Sequence, residues 1–182
     1  MSKNFDEEKI FNILMADDIE KSVVENLEVL TNLIPEIKNM IGFEHKHPQH
    51  HLDVWQHTLL ALSLSERNFD VRLTLLLHDI GKPFSFVEQD GIRHYPNHAE
   101  TSANMANEIL TRLKFEKDFV DKICYLIKYH DTPICEDDVK NNKELAYTRY
   151  LVQKCDALAH DPACLQKRKE YLKNIEKMFE ND

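Results

Sequence analysis

From Ile19 the apolar residues fall at Val23, Leu27, Leu30, Ile34, Ile37 and Ile41, steps of three and four that trace one face of a helix. Comparable spacing returns along the rest of the chain, and three glycines among 182 residues leave few tight turns for a sheet protein. An all-α helical bundle is the expected fold class. Its length suits one well-buried domain, residues 1–182, with N-terminal helices over 5–42 and a last helix over 162–180 packed on a core of about 49–160.

Local signals set the boundaries. Pro35 is expected to kink or divide the first long helix. Asp53 with Gln56 reads as a capping box opening a helix that carries Trp55, His57, Leu60 and Leu64. The next helix, about Asp70 to Ile80, is expected to stop at Gly81 and Pro83. Residues 84–95 alternate loosely around Asp90-Gly91, a dipeptide suited to a two-residue turn, so a small β-hairpin flap is expected there. Asn97 with Glu100 resembles another N-terminal cap, which sets His98 in a helix's first turn. A helix through Phe119 and Ile127 ends before Pro133, one from about Lys143 runs to His160, and Asp161-Pro162 opens the last.

The formal charge of −9 lacks the broad basic footprint of a nucleic-acid binder, so no stable nucleic-acid complex is expected. A small anion can still bind at a locally positive metal site. Cys124, Cys135, Cys155 and Cys164 form no CxxC pair and read as reduced thiols. The N-terminus lacks the basic-then-apolar order of a signal peptide, and no apolar run is long enough for a bilayer. A cytoplasmic protein with no membrane partner is expected.

The stretch LTLLLHDIGKP places His78, Asp79 and Lys82 at the end of an apolar run, where an enclosed carboxylate needs a partner that offsets its lost hydration. A divalent metal is one such partner; a neighbouring helix N-terminus for Asp79, with His78 capping a carbonyl, is another. His57, His98, His130 and Asp156 fall on other predicted helices, and facing helices of a bundle can bring such residues together around a metal. Histidine-rich ligation suits manganese, iron, cobalt, nickel or zinc better than magnesium alone.

QHHLDVWQHTL and LLLHDIGKP, followed in order by NHAETSA, LIKYHD and LVQKCDALAH, resemble the HD superfamily of metal-dependent phosphohydrolases. The similarity is to its HDIG-type members, in particular the HD domain of bacterial CCA-adding tRNA nucleotidyltransferases. The resemblance implies one or two divalent transition-metal ions. His57, His78, Asp79 and Asp156 would hold the first; His98 and His130 would hold a second, with Asp79 bridging. Asn97 stands where relatives often have glycine. A nucleotidyltransferase domain has no room in this chain, so tRNA tailing is not implied.

The implied activity is phosphohydrolysis of a small phosphorylated substrate, a nucleotide or related phosphomonoester or cyclic phosphodiester, through metal-activated water. Asp79 would orient or deprotonate that water. Lys82 would meet a phosphate oxygen, against the plainer reading of a solvated charge at a helix C-terminus. Arg149, two turns before Asp156, would contact substrate phosphate or make a surface ion pair. His50 and His51 fall in the motif as structural or substrate-facing residues; His45, His47, His94 and His160 receive no assignment and are expected in exposed or packing roles, Asp131 as a turn cap and Asp53 as a helix cap. Two other functions use the same ligands: a metal-dependent nucleotide sensor with little turnover, and a di-iron HD-type oxygenase.

Overall fold

The computed structural model describes residues 5–48 and 51–180; Gln49 and His50 lie outside them, as does the side chain of Cys164. Three short helices open the chain: α1 (Phe5–Leu14), α2 (Ile19–Glu25) and α3 (Leu27–Leu33), followed by a 3-10 turn over Pro35–Asn39. Pro35 divides the helix expected from Ile19, but an earlier break falls at Asn26. The Asn26 side-chain amide donates to the Ser22 carbonyl (2.8 Å), so a side chain takes part in closing the last turn of α2.

The capping box at α4 (Val54–Ser63) forms in full. Asp53 Oδ1 accepts from the Gln56 backbone N–H (2.7 Å), and Gln56 Oε1 accepts from that of Asp53 (3.3 Å). Next come α5 (Phe69–Leu77), the one-turn α6 (Lys82–Ser85) and a hairpin of β1 (Val87–Gln89) and β2 (Ile92–His94). Its strands pair antiparallel, Val87 opposite His94 and Gln89 opposite Ile92. Asp90 and Gly91 both take positive φ (52° and 77°), as a two-residue turn of this hand requires. The chain continues through α7 (His98–Arg112), α8 (Lys117–Lys128), α9 (Glu136–Asn141), α10 (Lys143–Leu158), a 3-10 turn over Pro162–Cys164 and α11 (Leu165–Glu180).

Helix α5 packs against α1, α4, α7, α8 and α10, and every residue from Val71 to Leu77 is buried. A helix apolar on nearly all sides sits in the middle of a bundle. Its C-terminal end therefore delivers His78 and Asp79 into the interior rather than to solvent. No described helix is long and apolar enough to cross a membrane.

Two boundary signals act differently from expectation. Gly81 keeps right-handed φ/ψ (−84°, −12°) instead of serving as a left-handed stop, and Pro83 lies within α6. What the position requires is space: a Cβ there would lie 2.6 Å from Ser102 N, and the Gly81 N–H donates to Ser102 Oγ (2.9 Å). Glycine thus lets the segment after Asp79 press on α7. Asn97 makes no side-chain cap to α7; it adopts φ 58°, ψ 21°, the left-handed region that asparagine tolerates better than most residues. That backbone turns His98 inward after β2.

Candidate functional site

Three helices, and the turns that follow two others, bring His57, His78, Asp79, His98, His130 and Asp156 together. His57 stands in the second turn of α4, and His78-Asp79 follow α5. His98 opens α7, His130 follows α8, and Asp156 lies near the end of α10. All are buried except His98, which is partly exposed.

The Asp79 carboxylate divides them into two lobes. Its Oδ2 lies 3.8 Å from His57 Nε2 and 3.3 Å from His78 Nε2, while Asp156 Oδ1 is 2.9 Å from His57 Nε2 and 3.7 Å from His78 Nε2. Its Oδ1 lies 3.6 Å from His98 Nε2 and 4.0 Å from His130 Nε2. Neighbouring ligands of one ion sit about 3 Å apart when each metal bond is about 2.1 Å, so these separations suit one shared ion per lobe.

The imidazoles are oriented alike. Nδ1 of His57, His78, His98 and His130 faces the carbonyls of Ala159 (3.2 Å), Leu75 (2.7 Å), Tyr95 (3.1 Å) and Ile127 (2.7 Å). A carbonyl only accepts, so Nδ1 carries the proton in each ring, and a neutral ring then presents its Nε2 lone pair to the centre. Carbonyl partners of this kind fix tautomer and orientation in histidine metal ligands.

Charge and burial point the same way. His78 Nε2 and both Asp79 oxygens are buried without an aligned hydrogen bond, although Lys82 Nζ stands 2.7 Å from Oδ2 as an ion pair. Such atoms are costly unless a cation meets them. Burial would push the His78 imidazole down, but the Asp79 and Asp156 carboxylates outweigh it and lift it to about 10. Burial opposes the charge of Asp79, yet His78 and Lys82 hold that carboxyl well below its usual range. Asp156 is likewise held down against burial, chiefly by His160 and His57. Burial, with His78 beside it, lowers His130 to about 4. Two buried carboxylates and four imidazole Nε2 atoms aimed at one centre make a donor set that fits one or two divalent transition-metal ions.

Lys82 departs from the solvated-charge reading, being 5% exposed. Its ammonium lies between Asp79 and His45, whose Nε2 is 3.2 Å away. His45 Nδ1–H donates to the Leu52 carbonyl (2.9 Å), leaving Nε2 to accept from Lys82. His45 therefore has a positioning role that nothing local in its sequence announced. His160 is buried too, and its Nδ1–H donates to the Asp156 carbonyl (2.8 Å); its place four residues after Asp156 is a signal that could have found it. His47 and His94 line the cavity mouth with their rings 6.0 Å apart. Asp131 is there also, 3.9 Å from His98 Nε2, whereas His51 lies 3.8 Å from Asp161 and away from the cavity.

Arg149 is neither at the cavity nor on the surface. It is 2% exposed, and its guanidinium donates to the carbonyls of Thr132 and Pro133 (2.9 Å each), with Asp138 3.5 Å away. It braces the loop after His130 and does not line the cavity. Arg149→Ala is expected to destabilise the fold by about 1–3 kcal/mol, since two part-buried charge-assisted hydrogen bonds are lost, although Gln153 Nε2 still donates to the Thr132 carbonyl (2.6 Å). Metal content measured at low temperature should stay unchanged. A melting curve superimposing on that of the parent would refute the bracing role.

The HD domain family model matches residues 49–161, which span all six converging residues. The chain is 32% identical over 115 residues to the CC-adding tRNA nucleotidyltransferase of Thermus thermophilus, covering 59% of this chain and 26% of that protein. It is 30% identical over 154 residues to the A-adding tRNA nucleotidyltransferase of Deinococcus radiodurans, covering 80% and 35%. A third similarity, 28% over 113 residues, is to the multifunctional CCA protein of Halorhodospira halophila, covering 59% and 26%. The matched segments thus span about a quarter to a third of these relatives' length. With the family match extending over more than half of its residues and over both lobes of the centre, the chain belongs to the HD domain family.

Proposed function

We propose that this protein is a metal-dependent phosphohydrolase acting on a small nucleotide or related phosphomonoester or cyclic phosphodiester. The observation that carries the reading is Asp79, which turns one oxygen to each lobe at the wall of a cavity of about 550 Å³. That volume suits a ligand of nucleotide size.

Bound there, divalent ions would polarise phosphoryl oxygens and lower the pKa of water. His57, His78 and Asp156 would hold one ion and His98 and His130 the other, with Asp79 shared. Asp79 orients an attacking water through the hydrogen bonds its carboxylate can accept. Lys82, on the cavity wall, supplies a point charge for a phosphate oxygen, and His45 keeps its ammonium from rotating away. The relatives are named for tRNA, but a formal charge of −9 suits a small phosphoester better than a polynucleotide backbone.

The test is a product screen over 2′-, 3′- and 5′-nucleotides and 2′,3′-cyclic nucleotides, each with manganese, iron, cobalt, nickel or zinc. At least one pairing should give metal-dependent product that chelation abolishes. Nucleotide binding without product under every metal would favour a sensor, and a redox-active iron pair that consumes oxygen would favour an oxygenase.

A further inference from the structure

In a chain of net charge −9, one cavity gathers three side-chain cations: Lys82 beside the centre, and Lys167 and Arg168 from α11. The two groups come from separate parts of the bundle, because α6 packs on α7 while α11 packs on α9 and α10. Among the described residues, the carboxylates lining the cavity are Asp79, Asp156 and Asp131. The first two belong to the centre, and Asp131 lies beside His98. None of them pairs with Lys167, which makes no ion pair among the described residues.

Lys167 is exposed and Arg168 partly exposed where α11 borders the cavity. Here a neighbour sets the face they occupy. Tyr171 lies four residues after Lys167 and three after Arg168, on the same side of α11. Its hydroxyl donates to Gln153 Oε1 (3.0 Å) and accepts from the Ile134 backbone N–H (3.2 Å). Anchored from α10 and from the loop after α8, Tyr171 fixes the rotation of α11 that turns Lys167 and Arg168 to the cavity. Helix α11 also lies beyond the family match, which ends at residue 161, so this basic wall is not part of the shared motifs.

We propose that Lys167 and Arg168 form a second anion subsite, so that the preferred ligand carries two phosphates, one at the metal centre and one at α11, as in a nucleoside bisphosphate. Which phosphate reacts rests on the phosphohydrolase reading; the two-anion preference does not. Because phosphonates resist hydrolysis, calorimetric titration of metal-loaded protein with α,ω-alkane bisphosphonates of three to six carbons, against the matching monophosphonates, reads the subsite without turnover.

At the best spacing the bisphosphonate should bind about 10- to 100-fold more tightly than the monophosphonate, the scale of one or two charge-assisted contacts. The double variant Lys167→Glu/Arg168→Glu should erase that advantage and leave monophosphonate affinity unchanged. Lys167→Gln/Arg168→Gln repeats the test should charge reversal unfold the helix. Equal affinity for both ligand classes at every length, or an advantage that survives both double variants, overturns the subsite. A hexaribonucleotide with a 3′-phosphate that binds more tightly than every bisphosphonate overturns the small-molecule assignment in favour of a strand end. If the bisphosphonate preference holds but the product screen is empty, the phosphohydrolase reading falls alone.

Discussion

Asp79→Asn is expected to strip the protein of tightly held metal and to cut hydrolysis by roughly a thousandfold or more, since one substitution weakens both proposed ions. The amide preserves the shape of the side chain but removes its charge and replaces one of the two oxygens that face the lobes. The helical fold should survive, because the core rests on apolar faces such as that of Leu73, Leu75, Leu76 and Leu77. Elemental analysis and circular dichroism on the same preparation decide the matter. Full metal content would remove Asp79 from the centre, and an unfolded variant would make the metal structural. His98→Ala or His130→Ala should instead lower metal content by about one ion per chain and leave the other lobe filled. Acidification acts in the same direction as Asp79→Asn: with His78 lifted to about 10 in the metal-free chain, binding must displace its proton, so affinity should fall as pH falls below that value.

Lys82→Met is expected to lower turnover ten- to a thousandfold, roughly the scale of one electrostatic contact made in a dry site. Methionine approximates the length of the side chain and removes its charge. In the metal-loaded protein the ions, rather than Lys82, balance Asp79, so metal content and melting temperature should be close to those of the parent. Loss of metal along with rate would mean that Lys82 acts only as the counterion 2.7 Å from Asp79. An unchanged rate would remove it from the reaction altogether.

Features governed by near neighbours along the chain are legible in the amino-acid sequence itself. The Asp53–Gln56 box closes within four residues, and the Asp90-Gly91 turn needs only two residues able to take positive φ. The apolar spacing of α5 and α10 likewise reports a helix whatever it packs against. Residues that converge from separate helices could be named from the HD motifs, but their arrangement could not. That one Asp79 oxygen faces each lobe depends on where α4, α5, α7, α8 and α10 cross.

Tertiary packing decided the rest. Asn97 has the composition of a cap but takes a left-handed turn because β2 must lead into α7, and Gly81 answers to Ser102, twenty-one residues away, rather than to the end of its own helix. Arg149 shares a helical face with Asp156, yet the carbonyls of Thr132 and Pro133 draw its guanidinium into the interior. Burial turned His45 from an unassigned histidine into the acceptor for Lys82, thirty-seven residues away. Spacing along a chain determines which residues can share a helix face; the partner that a charged or hydrogen-bonding atom finds depends on what the other helices bring within about 3 Å, which only the packed bundle specifies.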